Sequence, residues 1–201
     1  KKILGYILIS GISFIFVQQW HNTIFASFLE KIHFKKNYVE NGDYKFSTEN
    51  RSGIIATHYN KEKECDVIYG SGVYDGCFNV NPDGPNGINR VYAIVKLHPR
   101  PKKVLVIGLS SGSWVRALTY SDLFEKIDVV EINHGYIDLI KQYPEQAKIF
   151  KDERVTIHID DGRRWLNRNK DKYDFILMNT TYHWRSYITN LVSSDFLKII
   201  K

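Results

Sequence analysis

Hydrophobic and polar positions follow three different regimes along the chain. From Ile3 to Leu29 there is no Asp, Glu, Lys or Arg, and Ile3 to Val17 is apolar apart from Ser10 and Ser13. That run predicts a hydrophobic helix. Extended to Trp20 it holds eighteen residues, roughly 27 Å at 1.5 Å per residue. With Lys1 and Lys2 in front and Trp20 at an interfacial position, it reads as a membrane span; a signal peptide without a clear cleavage site, or a buried core helix, are the competing readings. Ile24, Phe25, Phe28 and Leu29 then mark an amphipathic connector. Past Tyr38 the pattern breaks into short segments between turn residues: Tyr44 to Phe46, Gly53 to His58, Val67 to Tyr69 and Val73 to Tyr74 predict strands of a small β subdomain. Asn81 to Gly87 is a breaker-rich loop, and Ile88, Val91, Tyr92, Val95 and His98 fall on one face of a helix that Pro99 and Pro101 stop.

From Lys103 onward strands and helices alternate. Strands are predicted at Val104–Ile107, Ile127–Glu131, Val155–Ile159 and Tyr173–Met178, and helices at Ser113–Tyr120, Tyr136–Tyr143 and Arg163–Asn167. Near-continuous apolar strands separated by helices predict an α/β fold with a parallel sheet buried on both faces. Ser194 to Lys201 reads as an unfinished amphipathic helix, so the sheet is expected to be truncated at its carboxyl end. The expected domains are a hydrophobic helix and connector over 1–36, a β subdomain and loop over 37–87, and a Rossmann-like domain over 88–201.

Composition narrows the function classes. The 201 residues, 43% hydrophobic, suffice for one good core. Cys65 and Cys77 lack metal-ligand spacing and are too few for a disulfide framework, so two reduced thiols and no metal are expected. Of the formal charge of +6, residues 1–36 hold +4, five lysines against one glutamate, leaving +2 for the rest. No electrostatic footprint for nucleic acid stands out.

Candidate chemistry collects at three predicted strand ends. Gly108 and Gly112 form a turn after the first strand, with Ser110, Ser111 and Ser113 offering hydroxyls; such a turn lets backbone approach a ligand and exposes helix amides. Glu131 ends the second strand, where a carboxylate can accept both ribose hydroxyls. Asp160, Asp161 and Gly162 follow the third, where a carboxylate can accept from an adenine amine. Each feature alone also has a plain structural explanation: a tight turn, a solvated strand-end acid, a helix N-cap at Asp161. Jointly they predict a nucleoside pocket, and GLSSGS in place of GxGxxG argues against a dinucleotide. Arg163 and Arg164 read as a solvated helix face.

Together with Tyr173-Asp174-Phe175-Ile176, Leu191 to Leu197, Arg51 to Ile54 and Val73-Tyr74-Asp75-Gly76, these motifs make the chain, from about Tyr38 on, resemble the spermidine synthase family, including its membrane-attached bacterial branch. The resemblance implies a class I methyltransferase-like fold, polyamine biosynthesis, and decarboxylated S-adenosylmethionine as cosubstrate. Glu131 would hold the ribose, Asp161 the adenine amine, and Gly108 to Gly112 the sulfonium-bearing tail; a homo-oligomer is expected on the same ground.

Departures from the family pattern accompany the matches. Where members typically read Gly-Gly-Gly-Asp-Gly, with the aspartate on the aminopropyl group, Ser111 stands in the acid's place. Where they read Asp-Ser-Ser-Asp after the fourth strand, this chain has Asn179-Thr180-Thr181-Tyr182. A glutamine usual near Ile54 is also missing. Losing one partner of a buried charge pair costs about 3–5 kcal/mol, which argues against an amine acceptor held in the usual way and keeps intact S-adenosylmethionine, with methyl transfer, in view. Asn179, Tyr182, His183 and Asp75 are the candidate catalytic residues, His183 as a general base near neutral pH. The expectation is thus a transferase that moves an aminopropyl or methyl group to a small acceptor, membrane-associated through Ile3 to Trp20 with its catalytic domain cytoplasmic. The alternative is a non-catalytic, membrane-attached nucleoside-binding or structural module.

Overall fold

The computed structural model describes residues 2–25, 27–34, 44–179 and 188–200. The chain divides into two compact units, Lys1–Tyr44 and Lys45–Lys201. The first holds helices α1 (Lys2–Ile24) and α2 (Phe28–Phe34). The expected membrane span does not stand: among the described residues, no helix is long and apolar enough to cross a membrane. The apolar stretch Ile3–Val17, broken by Ser10 and Ser13 and followed by Gln18 and Gln19, measures roughly 22 Å as a helix, short of a hydrocarbon core of about 30 Å. The membrane-associated localisation drawn from that span is overturned with it.

The second unit opens with an antiparallel meander of β1 (Phe46–Asn50), β2 (Gly53–Asn60), β3 (Cys65–Gly70) and β4 (Val73–Cys77), paired in chain order. Strand β1 lies further along than the apolar pattern indicates. Its pairing runs from Phe46 opposite Thr57 to Asn50 opposite Gly53, and the polar Ser47, Thr48 and Glu49 hid it. Cys65 and Cys77 are joined by a disulfide with Cα atoms 6.1 Å apart, correcting the expectation of reduced thiols; pairing of Val67 with Cys77 brings the two together. The predicted helix over 88–98 is two short pieces, α3 (Asn89–Tyr92) and α4 (Ile94–Leu97). Ile88, Val91 and Ile94 are buried while Tyr92, Val95 and Leu97 are exposed, so the inward face repeats every three residues, closer to the tighter 3₁₀ period than to the α-helical one.

The remainder alternates as the apolar runs predict: β5 (Lys103–Ile107), α5 (Ser113–Thr119), β6 (Lys126–Glu131), α6 (Gly135–Ile140), β7 (Val155–Ile159), α7 (Gly162–Arg168), β8 (Phe175–Met178) and α8 (Ser194–Ile199). All four strands are parallel, in the order β7-β6-β5-β8. Alternate residues of β5 feed two cores: Val104 and Val106 pack with Trp114, Leu118 and Leu139, and Leu105 and Ile107 with Leu191 and Phe196. Both faces are thus dry, and each fully buried aliphatic side chain contributes about 2 kcal/mol.

Asp128 is the polar exception within β6, only 1% exposed. It accepts from Tyr173 Oη at 2.8 Å, lies 3.0 Å from His158 Nε2 and pairs with Lys126 Nζ at 2.9 Å. Burial alone would raise its pKa, but these three bonds hold it below the usual carboxylate range. The chain steps from β5 through β6 to β7 on one side and returns to place β8 on the other. That reversal opens a crevice at the carboxyl ends of the strands.

Candidate functional site

At the tip of β5 the backbone turns through Gly108, whose φ is +94°, and a Cβ there would stand 2.8 Å from the carbonyl oxygen of Asn179. Close approach of the β5 and β8 ends therefore requires glycine. The neighbouring strands are tied to the same point, with Gly108 N–H donating to Val130 O at 2.8 Å and Asn179 N–H to Ile107 O at 2.8 Å.

Glu131 ends β6 and turns into this junction. Its Oε2 accepts from Leu109 N–H at 2.7 Å and its Oε1 from Asn133 N–H at 2.8 Å. Two backbone donors, one on each strand tip, fix the carboxyl plane without a cation. Burial pushes this carboxyl up to about 7; the two N–H bonds pull it down, and the nearby Asp75 charge adds to the rise. Such a group, a carboxyl half-ionised near neutrality and buried beside a hollow, accepts hydroxyl hydrogen bonds strongly once charged.

At the tip of β7, Asp161 caps α7, its Oδ1 accepting from Arg164 N–H at 2.9 Å. Asp160 accepts from Asp161 N–H at 2.8 Å and pairs with the Arg164 guanidinium. Arg164 lies on the solvated helix face that the sequence indicates, its side chain 57% exposed while it pairs with Asp160 four residues earlier. From the opposite wall β4 brings Asp75, whose backbone carbonyl accepts from Ser110 Oγ and whose carboxylate accepts from Tyr136 Oη. Gly76 beside it has φ +140°, and a Cβ there would reach within 2.6 Å of Ser110 Oγ. The meander and the parallel sheet are therefore pinned together at the crevice.

These groups enclose a cavity of about 360 Å³ lined by Asp75, Gly108, Ser110, Glu131, Asp160, Asp161, Gly162 and Asn179, eight of the residues singled out from sequence. Ser111 and Gly112 are not in its lining. Ser111 Oγ instead donates to Ser113 Oγ at 2.8 Å, and Gly112 sits against Ile140 and Ile149, because the turn folds its second half into the core. The two expected tail contacts on this side are thus corrected. Tyr182 and His183 lie outside the described residues. Ser52, Asn133 and Tyr136 line the cavity as well and were not among the candidates. Asn133, two residues past Glu131, had a positional signal; Tyr136 had none, since an aromatic on an amphipathic helix reads as core. Among the described residues, no group of three or more His, Cys, Asp or Glu side chains could hold a metal ion.

An α/β unit of parallel strands, with a crevice at the strand tips and a buried carboxylate held by two strand-end amides, is the class of protein this fold and site define. The spermine/spermidine synthase domain matches residues 93–201, more than half of the chain, and the chain belongs to that family. A polyamine aminopropyltransferase of Alkaliphilus oremlandii is 39% identical over 85 residues, 42% of this chain and 30% of that protein. One of Clostridium perfringens is 37% identical over 92 residues, 45% of this chain and 32% of that protein. The matched stretch thus spans about a third of the length of these relatives. A spermidine synthase solved with the transition-state analogue AdoDATO superposes with a TM-score of 0.66 at 23% identity, over 78% of this chain and 53% of that one. The spermidine synthase of Thermotoga maritima gives 0.64 at 23% identity, over 78% and 52%. At that identity the likeness speaks for the methyltransferase-like fold alone.

Proposed function

We propose that the chain binds decarboxylated S-adenosylmethionine across its strand tips and transfers the aminopropyl group to a small amine. The observation that carries this reading is the arrangement of Asp161, Glu131 and the Gly108–Ser110 turn around one cavity of about 360 Å³, in the order β7, β6, β5. A purine riboside laid along that order meets Asp161 with its adenine amine, Glu131 with its ribose hydroxyls, and the glycine turn with its sulfonium-bearing tail. Family membership and the aminopropyltransferase relatives favour this ligand over intact S-adenosylmethionine.

The reaction needs little covalent help. A neutral amine nitrogen attacks the carbon next to sulfur; the C–N bond forms as the C–S bond breaks, the bonding pair goes to sulfur, and the neutral thioether leaves. The new ammonium then sheds a proton. Catalysis is chiefly alignment plus removal of that proton. Asn179, at the tip of β8 beside Gly108, is the proposed aligning group, and His183 is the proposed proton acceptor.

Calorimetry with decarboxylated S-adenosylmethionine, followed by mass spectrometry of mixtures with candidate amines, tests the reading. Micromolar binding and an adduct heavier by one aminopropyl group are expected, both reduced in Glu131→Gln. Absence of binding rejects the nucleoside site, while binding without turnover for any amine favours the non-catalytic reading.

A further inference from the structure

Among the described residues, four carboxylates line the cavity: Asp75, Glu131, Asp160 and Asp161. Three are engaged at the sheet. Glu131 accepts two backbone N–H groups, Asp160 pairs with Arg164, and Asp161 caps α7. Asp75 differs in position, because it enters from the meander over the β5 turn, where Ser110 Oγ holds its backbone carbonyl. Its carboxylate is aimed by the hydroxyl of Tyr136, a side chain only 5% exposed and set in the main core. The turn itself supplies no acid, since Ser111 is turned inward onto Ser113.

We propose that the Asp75–Tyr136 pair is the cation anchor of this site: it selects a nucleoside whose tail is positively charged and carries no carboxylate. The inference rests on the nucleoside reading above and deepens it by naming the residues that discriminate between tails. Two carboxylates, Asp75 and Glu131, face one hollow, and the charge of the first already opposes ionisation of the second. A sulfonium or ammonium group beside Asp75 relieves that opposition. A tail carboxylate at the same place meets a like charge in a partly dehydrated site, which is discrimination by repulsion as well as by attraction. Tyr136 acts through Asp75 and is a positioning residue; its hydroxyl fixes the carboxylate without neutralising it.

Calorimetric titration of the full chain with three ligands tests the assignment: decarboxylated S-adenosylmethionine, S-adenosylmethionine, and the neutral thioether 5′-methylthioadenosine. The unmodified protein should bind the decarboxylated ligand at least tenfold tighter than the carboxylated one. Asp75→Asn should weaken the decarboxylated ligand by ten- to a hundredfold, bring the two cations within about threefold of each other, and leave the neutral thioether within threefold of its original affinity. Tyr136→Phe, which keeps the packed ring, should give the same pattern at smaller amplitude. Equal loss for all three ligands in Asp75→Asn, or tail discrimination unchanged in both variants, overturns the anchor while leaving the nucleoside site intact. No binding of any of the three to the unmodified protein overturns the nucleoside reading and the anchor with it.

Discussion

Replacing Glu131 by glutamine separates two opposing effects that the structure places on one side chain. The carboxyl is 5% exposed, and burial raises its pKa from 4.5 to about 7, a difference worth about 3 kcal/mol at 1.4 kcal/mol per pH unit. Between those values the folded protein holds a proton that the unfolded chain has released. Stability from this group is therefore complete below pH 4.5 and is lost as pH rises through 7. Glutamine carries no charge and escapes this loss, but its amide group turns a donor toward Leu109 N–H or Asn133 N–H, and one unmet buried donor costs about 1–3 kcal/mol. At pH 4.5 the native protein should accordingly be the more stable by about 1–3 kcal/mol. By pH 8.5 the difference should have moved about 3 kcal/mol in favour of Glu131→Gln, to near equality or beyond. Urea unfolding of both unliganded proteins at the two pH values, with m checked for constancy, measures it. A difference that stays within about 0.5 kcal/mol across the range would refute the reasoning, because it would mean that water reaches the carboxyl in the folded state. Ligand binding should report the same group: ribose hydroxyls favour the ionised form, so nucleoside association at pH 6.5 should release a proton, seen as a dependence of the measured heat on buffer ionisation enthalpy.

Gly108→Ala places a Cβ 2.8 Å from the Asn179 carbonyl at a φ of +94°; a loss of about 3 kcal/mol and a fall in Tm of about 6–12 °C are expected in a thermal melt, and an unchanged Tm would show that the strand tips are not so close. Asp161→Ala removes the side-chain acceptor for Arg164 N–H and should cost about 1 kcal/mol in chemical unfolding, with faster amide exchange confined to the first turn of α7. Asp128→Asn breaks the pairing with Lys126 and His158 and should cost about 2–4 kcal/mol at pH 7. Since the Asp128 pKa is lowered in the fold, that contribution is present above the usual carboxylate range and fades as pH falls through it, so the two proteins should converge in acid; a gap that widened in acid would contradict the assignment.

Local pattern alone determined much of this chain. Near-continuous apolar runs between helical periods predicted the parallel sheet, because strands buried on both faces are apolar on both. Glycine after one strand, an acid after the next and paired acids after the third marked the cavity, since strand tips of such a sheet converge wherever the order reverses. The Asp161 cap was legible too, being a contact between residues three positions apart. Features that depend on separated segments were not legible. The bond from Tyr136 to Asp75 spans 61 positions, and nothing near either residue signals the other. The inward turn of Ser111 depends on how α5 seats against the Cys77 carbonyl, which Ser113 Oγ bonds at 3.2 Å. The joining of Cys65 to Cys77 follows from β3 and β4 being neighbours, and the split of the 88–98 segment from a core that accepts every third side chain. Periodicity reports which face of an element is dry; only the assembled structure decides which distant side chain that face will meet.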